Sequence, residues 1–326
     1  MKAVLLEQFG STEHMKYVDM EVPTIQANQL LIRVSATCVN FADIKSRIGK
    51  KKQGKLPLLL GLEASGIIEQ IGEDVHGFYI GQRVIAFPHD GSYAEFVVAD
   101  EKLVFAIPDR MTLETAGAFG IVSFLSYQLL AQVARLQGGE SVLVHAAAGG
   151  VGTTVIQIAK ALGAGRIIGT VGHAAKIPAA LQAGADDVIS HDHPDFAEQV
   201  NQLTHGRGVD IIIDSIGGDV TANSAACLAL YGRLIICGNA SGQYSTFDTR
   251  NLHASCRSVL GYSFGTTRKV RPELLQETAV QVFRLFESGQ LQIQIGERYP
   301  LQEAPLAHQR MESRQTTGKI LLLPEA

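Results

Sequence analysis

What this chain has little of narrows its biology first. It carries four cysteines in 326 residues, Cys38, Cys227, Cys237 and Cys256, and no two form a C-x-x-C pair. Four scattered thiols in so long a chain are not a disulfide framework, and a reducing cytoplasm is the expected setting. Charge is scarce in blocks. The formal net charge is −4, and the one basic cluster is Lys50, Lys51, Lys52 and Lys55. That cluster reads as a solvated loop, so neither nucleic acid nor an anionic membrane is an expected partner. Apolar runs stay short of the ~20 residues that span a bilayer. The opening MKAVLLEQFG is interrupted by Glu7 and does not read as a signal peptide. Internal repeats and low-complexity segments are lacking as well.

What is present is apolar material for real cores, 46% of the residues. The length exceeds what one ordinary core holds, so two domains are expected. Up to about Gly120 the chain is rich in short extended patterns. Leu30, Ile32, Val34 and Ala36 alternate with Leu31, Arg33 and Ser35, as in a half-buried strand. Further strands are predicted at 66–71, 83–87 and 93–99, with Gly72, Gly77, Gly81 and Gly91 as turn residues. Many short strands with glycine turns predict a compact, barrel-like β domain.

Near Leu113 the pattern changes. Helices are predicted at 113–118 and 123–136. Apolar strands at 141–145, 166–171, 187–190, 210–214, 233–237 and 258–262 then alternate with helices at 151–162, 174–183, 194–204 and 220–230. Six such strands predict a parallel sheet covered on both faces, a doubly wound dinucleotide fold. After Tyr262 the alternation stops. A helix at 271–287 and an apolar tail at 319–323 are predicted to return to the first domain.

The strongest local signal is the run from Ser141 to Gly152, SVLVHAAAGGVG. It is a G-x-G-x-x-G turn between a strand and a helix, with Ala147 in the first glycine slot. Gly149 would let the backbone approach a diphosphate, and Gly152 would let the helix pack closely. Gly150 and Val151 complete the turn, whose free N–H groups lie at the positive end of the helix. Beyond the second strand an NAD site wants an acid for the ribose 2′-hydroxyl. Here Gly172 is followed by His173, Ala174, Ala175 and Lys176, with no acid. The cofactor is therefore expected to be NADP(H).

Several motifs together resemble the quinone oxidoreductase (zeta-crystallin-like) branch of the medium-chain dehydrogenase/reductase superfamily. They are VNFAD at 39–43, GLEASG at 61–66, GQRV at 81–84, HAAAGGVG at 145–152, GTVG at 169–172, CGNASG at 237–242 and ESR at 312–314. The resemblance implies a GroES-like catalytic domain of residues 1–121 and 263–326. An inserted Rossmann NADP-binding domain would occupy 122–262, with the active site between the two. It implies that Lys176 and Arg314 hold the 2′-phosphate, with His191 where relatives often have a tyrosine. Gly238 and Asn239 would lie against the nicotinamide.

Zinc-dependent relatives use a cysteine early in the first domain and the histidine of a Gly-His-Glu motif. Asn40 and Leu62 stand at those positions, so no metal is expected. Without a Lewis acid, reduction of a quinone or another electron-poor enone is the expected reaction. The protein must then orient the substrate and offer hydrogen bonds to the developing oxyanion. Asn40 is the candidate donor, and Asp43 would fix the cofactor ribose or the local backbone. Candidate substrate contacts are Lys45, Arg47, Glu63 and Leu125, with Glu63 alternatively pairing with a buried polar group. Lys45 and Lys51 stand where quinone-reducing relatives often carry tyrosines. Reduction of alkenals or enoyl compounds, and a non-catalytic NADPH-binding sensor or structural role, are the competing readings. A homodimer or homotetramer is expected, with 258–264 as a pairing edge.

Overall fold

The computed structural model describes residues 1–50, 55–190 and 195–324. The chain divides into two compact units. The first comprises Met1–Val122, Thr267–Phe283 and Ile293–Ala326, and the second Ser123–Thr266 and Arg284–Gln292.

The first unit is built on an extended, largely antiparallel sheet. Its strands run in the order Ile295–Pro300, Lys319–Leu323, Gln29–Val39, Ala64–Ile71, Arg83–Ala86 and Val104–Ala106, and Phe96–Asp100 also pairs with Gln29–Val39. A smaller sheet joins Met15–Asp19, Lys2–Leu6 and Leu58–Leu59. The alternation read from Leu30 to Ala36 holds in part: Leu30, Ile32, Val34 and Ala36 are buried and Arg33 and Ser35 are partly exposed, but Leu31 is buried too. Ile32 and Val34 pack with Ile68, Val84, Val97 and Val104 in one core, and each such burial contributes about 1.5–3 kcal/mol.

The second unit is a six-stranded parallel sheet. Its order is Asp187–Ser190, Arg166–Val171, Ser141–Val144, Val209–Asp214, Leu228–Ile236 and Ser258–Gly261. The order reverses between Ser141–Val144 and Val209–Asp214, which creates the crevice where ligands of open α/β sheets lie. Near-continuous apolar strands follow from burial on both faces: Leu143, Ile168, Ile212 and Leu234 share a core with Phe196 and Val200 of the helix Phe196–Leu203.

Local predictions diverge in three places. The helices expected at 113–118 and 123–136 are one run: the α-helix Leu113–Tyr127 continues as a π-helical turn Gln128–Val133. Gly117 and Gly120 do not stop it, because they serve close packing. A Cβ at Gly117 would lie 2.7 Å from the Ala36 Cβ, and one at Gly120 2.7 Å from a Glu63 carboxylate oxygen. This run has the length and apolarity of a membrane span, beyond what the sequence suggested, yet 78% of its most apolar stretch is buried within the protein. The helix predicted at 220–230 is only Asp219–Ser224, and the chain is already extended from Leu228. The helix Phe264–Val270 was not anticipated.

Candidate active site

In the first unit, strand register builds the site. Lys319–Leu323 runs antiparallel to Gln29–Val39 with Ile320 opposite Val39 and Leu321 opposite Cys38, so Lys319 falls opposite Asn40. On the other side Ala64 faces Thr37, which brings Glu63 opposite Cys38. Side chains alternate along a strand, so Cys38 and Asn40 project on one face with both partners. The result is a polar cluster inside an apolar wall. Lys319 Nζ donates to Asn40 Oδ1 at 2.8 Å and to Glu63 Oε1 at 3.1 Å. Asn40 Nδ2 donates to Glu63 Oε1 at 3.1 Å and lies 3.6 Å from Cys38 Sγ, which itself donates to Glu63 Oε1 at 2.7 Å. The second carboxylate oxygen of Glu63 accepts the Ile121 N–H at 2.6 Å.

Burial opposes the Lys319 charge, but its acidic neighbours Cys38 and Glu63 outweigh that and raise the pKa above the ordinary lysine value. Burial, then the Glu63 charge, pushes the Cys38 thiol well up. The thiol therefore holds its proton, and the carboxylate of Glu63 is the group paired with Lys319. Positions 40 and 62 offer an amide and an isobutyl group, and the cation facing Glu63 is already an ammonium. Among the described residues no three His, Cys, Asp or Glu side chains gather as a metal site.

Around this cluster, Asp43 is buried at the third position of the helix Phe41–Arg47 and accepts the Asn40 backbone N–H at 2.8 Å, as in a capping box. Tyr93 Oη reaches Asp43 at 3.4 Å and His308 Nε2 at 3.0 Å. Burial, then the Arg47 charge, lowers the His308 pKa to about 3. Arg268, which no motif marks, donates to the Leu62 carbonyl at 2.8 Å and lies over the Phe87 ring.

One candidate substrate contact, Arg47, is placed otherwise than expected, while Glu63 takes the structural alternative given for it. Arg47 does not reach outward: it is 3% exposed, bonded to the Gly10 carbonyl, and paired with Glu312 at 2.6 Å. Its charge is consumed internally because helix Ala304–Glu312 packs over it. Glu63 is likewise enclosed and acts as the partner of Lys319. Lys45 lies over the Phe41 ring at 5.9 Å. Arg314 is exposed, in left-handed backbone just beyond the helix Ala304–Glu312.

In the second unit the glycine turn has a clear division of labour. Ser141–Val144 leads into the helix Gly150–Ala161, with Gly149 as its N-cap. The left-handed residue is Ala146. Ala147, in the first glycine slot, is buried, and Gly169 on the next strand leaves room for its methyl group: a Cβ there would lie 2.7 Å away. Gly152 is needed for packing, since a Cβ would meet the Ala146 carbonyl oxygen at 2.3 Å. Gly149 has no such constraint; its Cβ would lie 3.4 Å from the nearest atom. Gly150, Val151 and Gly152 form the first turn, whose N–H groups have no acceptor within the helix.

Beyond the strand Arg166–Val171, Gly172 faces open space. Lys176 ends a short turn at Ala174–Lys176 and is half-buried, and burial lowers its pKa. Among the described residues no carboxylate pairs with it. His191 and Lys51 lie outside the described residues. Gly238 packs against Ser215, and Asn239 follows in the loop after the fifth strand, where Ser241 and Gly242 bond it. Leu125 is a buried helical residue. His145 is a satisfied core group between Thr170 and Ser224.

Sequence reasoning missed Lys319 and Arg268. A lysine opening the otherwise apolar strand KILLL was the one available signal for the first; nothing local marked the second.

Known proteins resemble this chain along its whole length. The family model described as "Alcohol dehydrogenase GroES-like domain" matches residues 26–109, and "Zinc-binding dehydrogenase" matches 150–280. A quinone oxidoreductase of Pseudomonas aeruginosa is 37% identical, covering 99% of each chain. Quinone oxidoreductase 1 of Escherichia coli is 34% identical over 97% of each. The crystal structure of Escherichia coli quinone oxidoreductase complexed with NADPH superposes with a TM-score of 0.93 at 32% identity, covering 99% of this chain and 100% of that one. With identity of this degree sustained from end to end, the chain belongs to the quinone oxidoreductase, zeta-crystallin-like branch of the medium-chain dehydrogenase/reductase superfamily and is a quinone-oxidoreductase-like enzyme.

Proposed function

We propose that this enzyme binds NADPH and reduces a quinone or another electron-poor enone without a metal ion. One observation carries the cofactor reading. A glycine-capped helix end stands at the sheet's crossover, and beyond the neighbouring strand a half-buried Lys176 meets no carboxylate among the described residues. A diphosphate suits the first, and the 2′-phosphate that distinguishes NADPH from NADH suits the second. Arg314 is the second cation that the family resemblance implies for that phosphate. Gly238 and Asn239 are proposed to border the nicotinamide. The complex of the Escherichia coli relative with NADPH supports the same reading.

Bound NADPH supplies the hydride. The chain's own part is to orient the acceptor and stabilise the oxyanion that forms on it. Asn40 is proposed as that donor, with Asp43 fixing its backbone. The metal-free reading is supported by Lys319, which already stands as the cation against Glu63. The test is NADPH consumption, followed by absorbance, against a panel of quinones, enones and alkenals, with and without a strong chelator. Turnover with quinones that survives chelation is expected. Turnover that stops with metal removal and returns with zinc overturns the metal-free reading. NADPH binding without turnover on any acceptor overturns the enzymatic one.

Among the described residues the strand Ser258–Gly261 ends the parallel sheet with one side unpaired, which supports assembly of two copies through that edge. Sedimentation should then show a dimer or tetramer. The four free thiols suit a reducing cytoplasm.

A further inference from the structure

We propose that Lys319 is a positioning residue for Asn40: its ammonium, anchored by Glu63, fixes which way the Asn40 amide faces and polarises it as a hydrogen-bond donor. This deepens the function proposed above and rests on it for the identity of the donor. The geometry is specific. An amide presents either oxygen or NH2 to a neighbour, and the two choices differ by a flip. With Lys319 Nζ 2.8 Å from Oδ1, the flipped amide would set N–H against N–H. The ammonium therefore permits one orientation. That orientation turns Nδ2 toward Glu63 Oε1 at 3.1 Å, with the weak acceptor Cys38 Sγ at 3.6 Å on the same side, 2.7 Å from that oxygen. One N–H is held by a carboxylate, and the other is left for a stronger acceptor.

A cation on the amide oxygen also draws electron density from the nitrogen. In a site of low dielectric, linked hydrogen bonds strengthen one another in this way. The N–H would then bind a developing oxyanion better than an isolated asparagine would. Lys319 itself is 4% exposed and does not need to touch substrate; it acts through Asn40. The charge that faces it is the Glu63 carboxylate, with the Cys38 thiol, pushed well up by burial, close by.

The experiment compares wild type with Lys319→Met, Lys319→Arg, Asn40→Ala, the Lys319→Met/Asn40→Ala double variant and the Lys319→Met/Glu63→Gln double variant. The last removes both charges and keeps a fold for study if Lys319→Met alone does not. Loss of Lys319 is expected to lower kcat with the best quinone by about 10- to 100-fold, the scale of a misplaced catalytic group, while KM and NADPH affinity stay near wild type. Lys319→Arg should recover part of kcat. Lys319→Met should have no further effect once Asn40 is alanine. Equal losses on both backgrounds, or a normal kcat in Lys319→Met/Glu63→Gln, overturn the proposal.

A second readout needs no turnover. The Asn40 side-chain amide resonance, assigned by its loss in Asn40→Ala, should shift in Lys319→Met/Glu63→Gln by more than in Glu63→Gln alone. An equal shift overturns the positioning role. If wild type reduces none of the acceptors, the proposed function falls, and the resonance still decides whether Lys319 orients the amide.

Discussion

The Lys319 ammonium and the Glu63 carboxylate meet at 3.1 Å with 4% and 1% of their side chains exposed, although 256 residues separate them in the chain. Taking two charges out of water is costly, and what offsets it is the completeness of the bonding around them. Glu63 accepts from Lys319, Asn40, Cys38 and Ile121, so both carboxylate oxygens are hydrogen-bonded. Removing one charge strands the other. Lys319→Met is expected to lose about 3–5 kcal/mol of stability, and Lys319→Met/Glu63→Gln distinctly less. Urea unfolding of both variants checks this; additive losses would mean that the pair is not coupled.

The glycine turn separates cofactor binding from packing. Gly149→Ala places a methyl in ordinary contact at 3.4 Å, so its melting temperature should stay near wild type while NADPH affinity falls about tenfold, or ~1.4 kcal/mol. Gly152→Ala should do the opposite first. Its methyl would lie 2.3 Å from a backbone oxygen that cannot swing away, a loss of about 1–3 kcal/mol that exceeds the ~1 kcal/mol helix-propensity gain. Thermal unfolding beside a fluorescence titration distinguishes the two. Unchanged affinity in Gly149→Ala removes the diphosphate from the turn.

Lys176 is expected to read the 2′-phosphate. A hydrogen bond to a charged group contributes about 1.5–3 kcal/mol, so Lys176→Ala should weaken NADPH at least about tenfold. NADH affinity should be unaffected. Calorimetric titration with both nucleotides measures the ratio, and equal losses for the two would show that Lys176 does not see the extra phosphate.

Acid should weaken the first unit through His308. Its folded pKa of about 3 lies below the ordinary 6.5, chiefly through burial. Between those values the unfolded chain binds a proton that the folded one does not, so stability falls as pH drops from 6.5 toward 3. One such group contributes a slope of at most about 1.4 kcal/mol per pH unit. His308→Gln keeps a partner for Tyr93 and does not titrate, so its stability should fall less steeply between pH 6.5 and 4.5. Urea unfolding across that range decides; parallel curves would mean that His308 is accessible to protons in the folded state.

Local pattern carried much of the architecture. Alternating burial marked the strand Gln29–Val39, and continuous apolar runs marked the parallel strands, because side-chain periodicity is a property of a few neighbouring residues. Where the pattern misled, packing had overridden propensity. Gly117 and Gly120 look like breaks, yet they are the places where a helix approaches Ala36 and Glu63. Arg47, polar and at a helix end, looked like a surface group until Glu312 and Gly10 enclosed it.

By itself the sequence determined the glycine turn, the absence of an acid beyond the second strand, and the Asn40 and Leu62 that replace zinc ligands, because each is a choice of residue at a fixed local spacing. Only the tertiary structure decided that Lys319 and not a solvent molecule meets the Asn40 amide. That contact spans 279 residues and depends on two strand registers, which are set by the burial of whole strands and not by any motif near either residue.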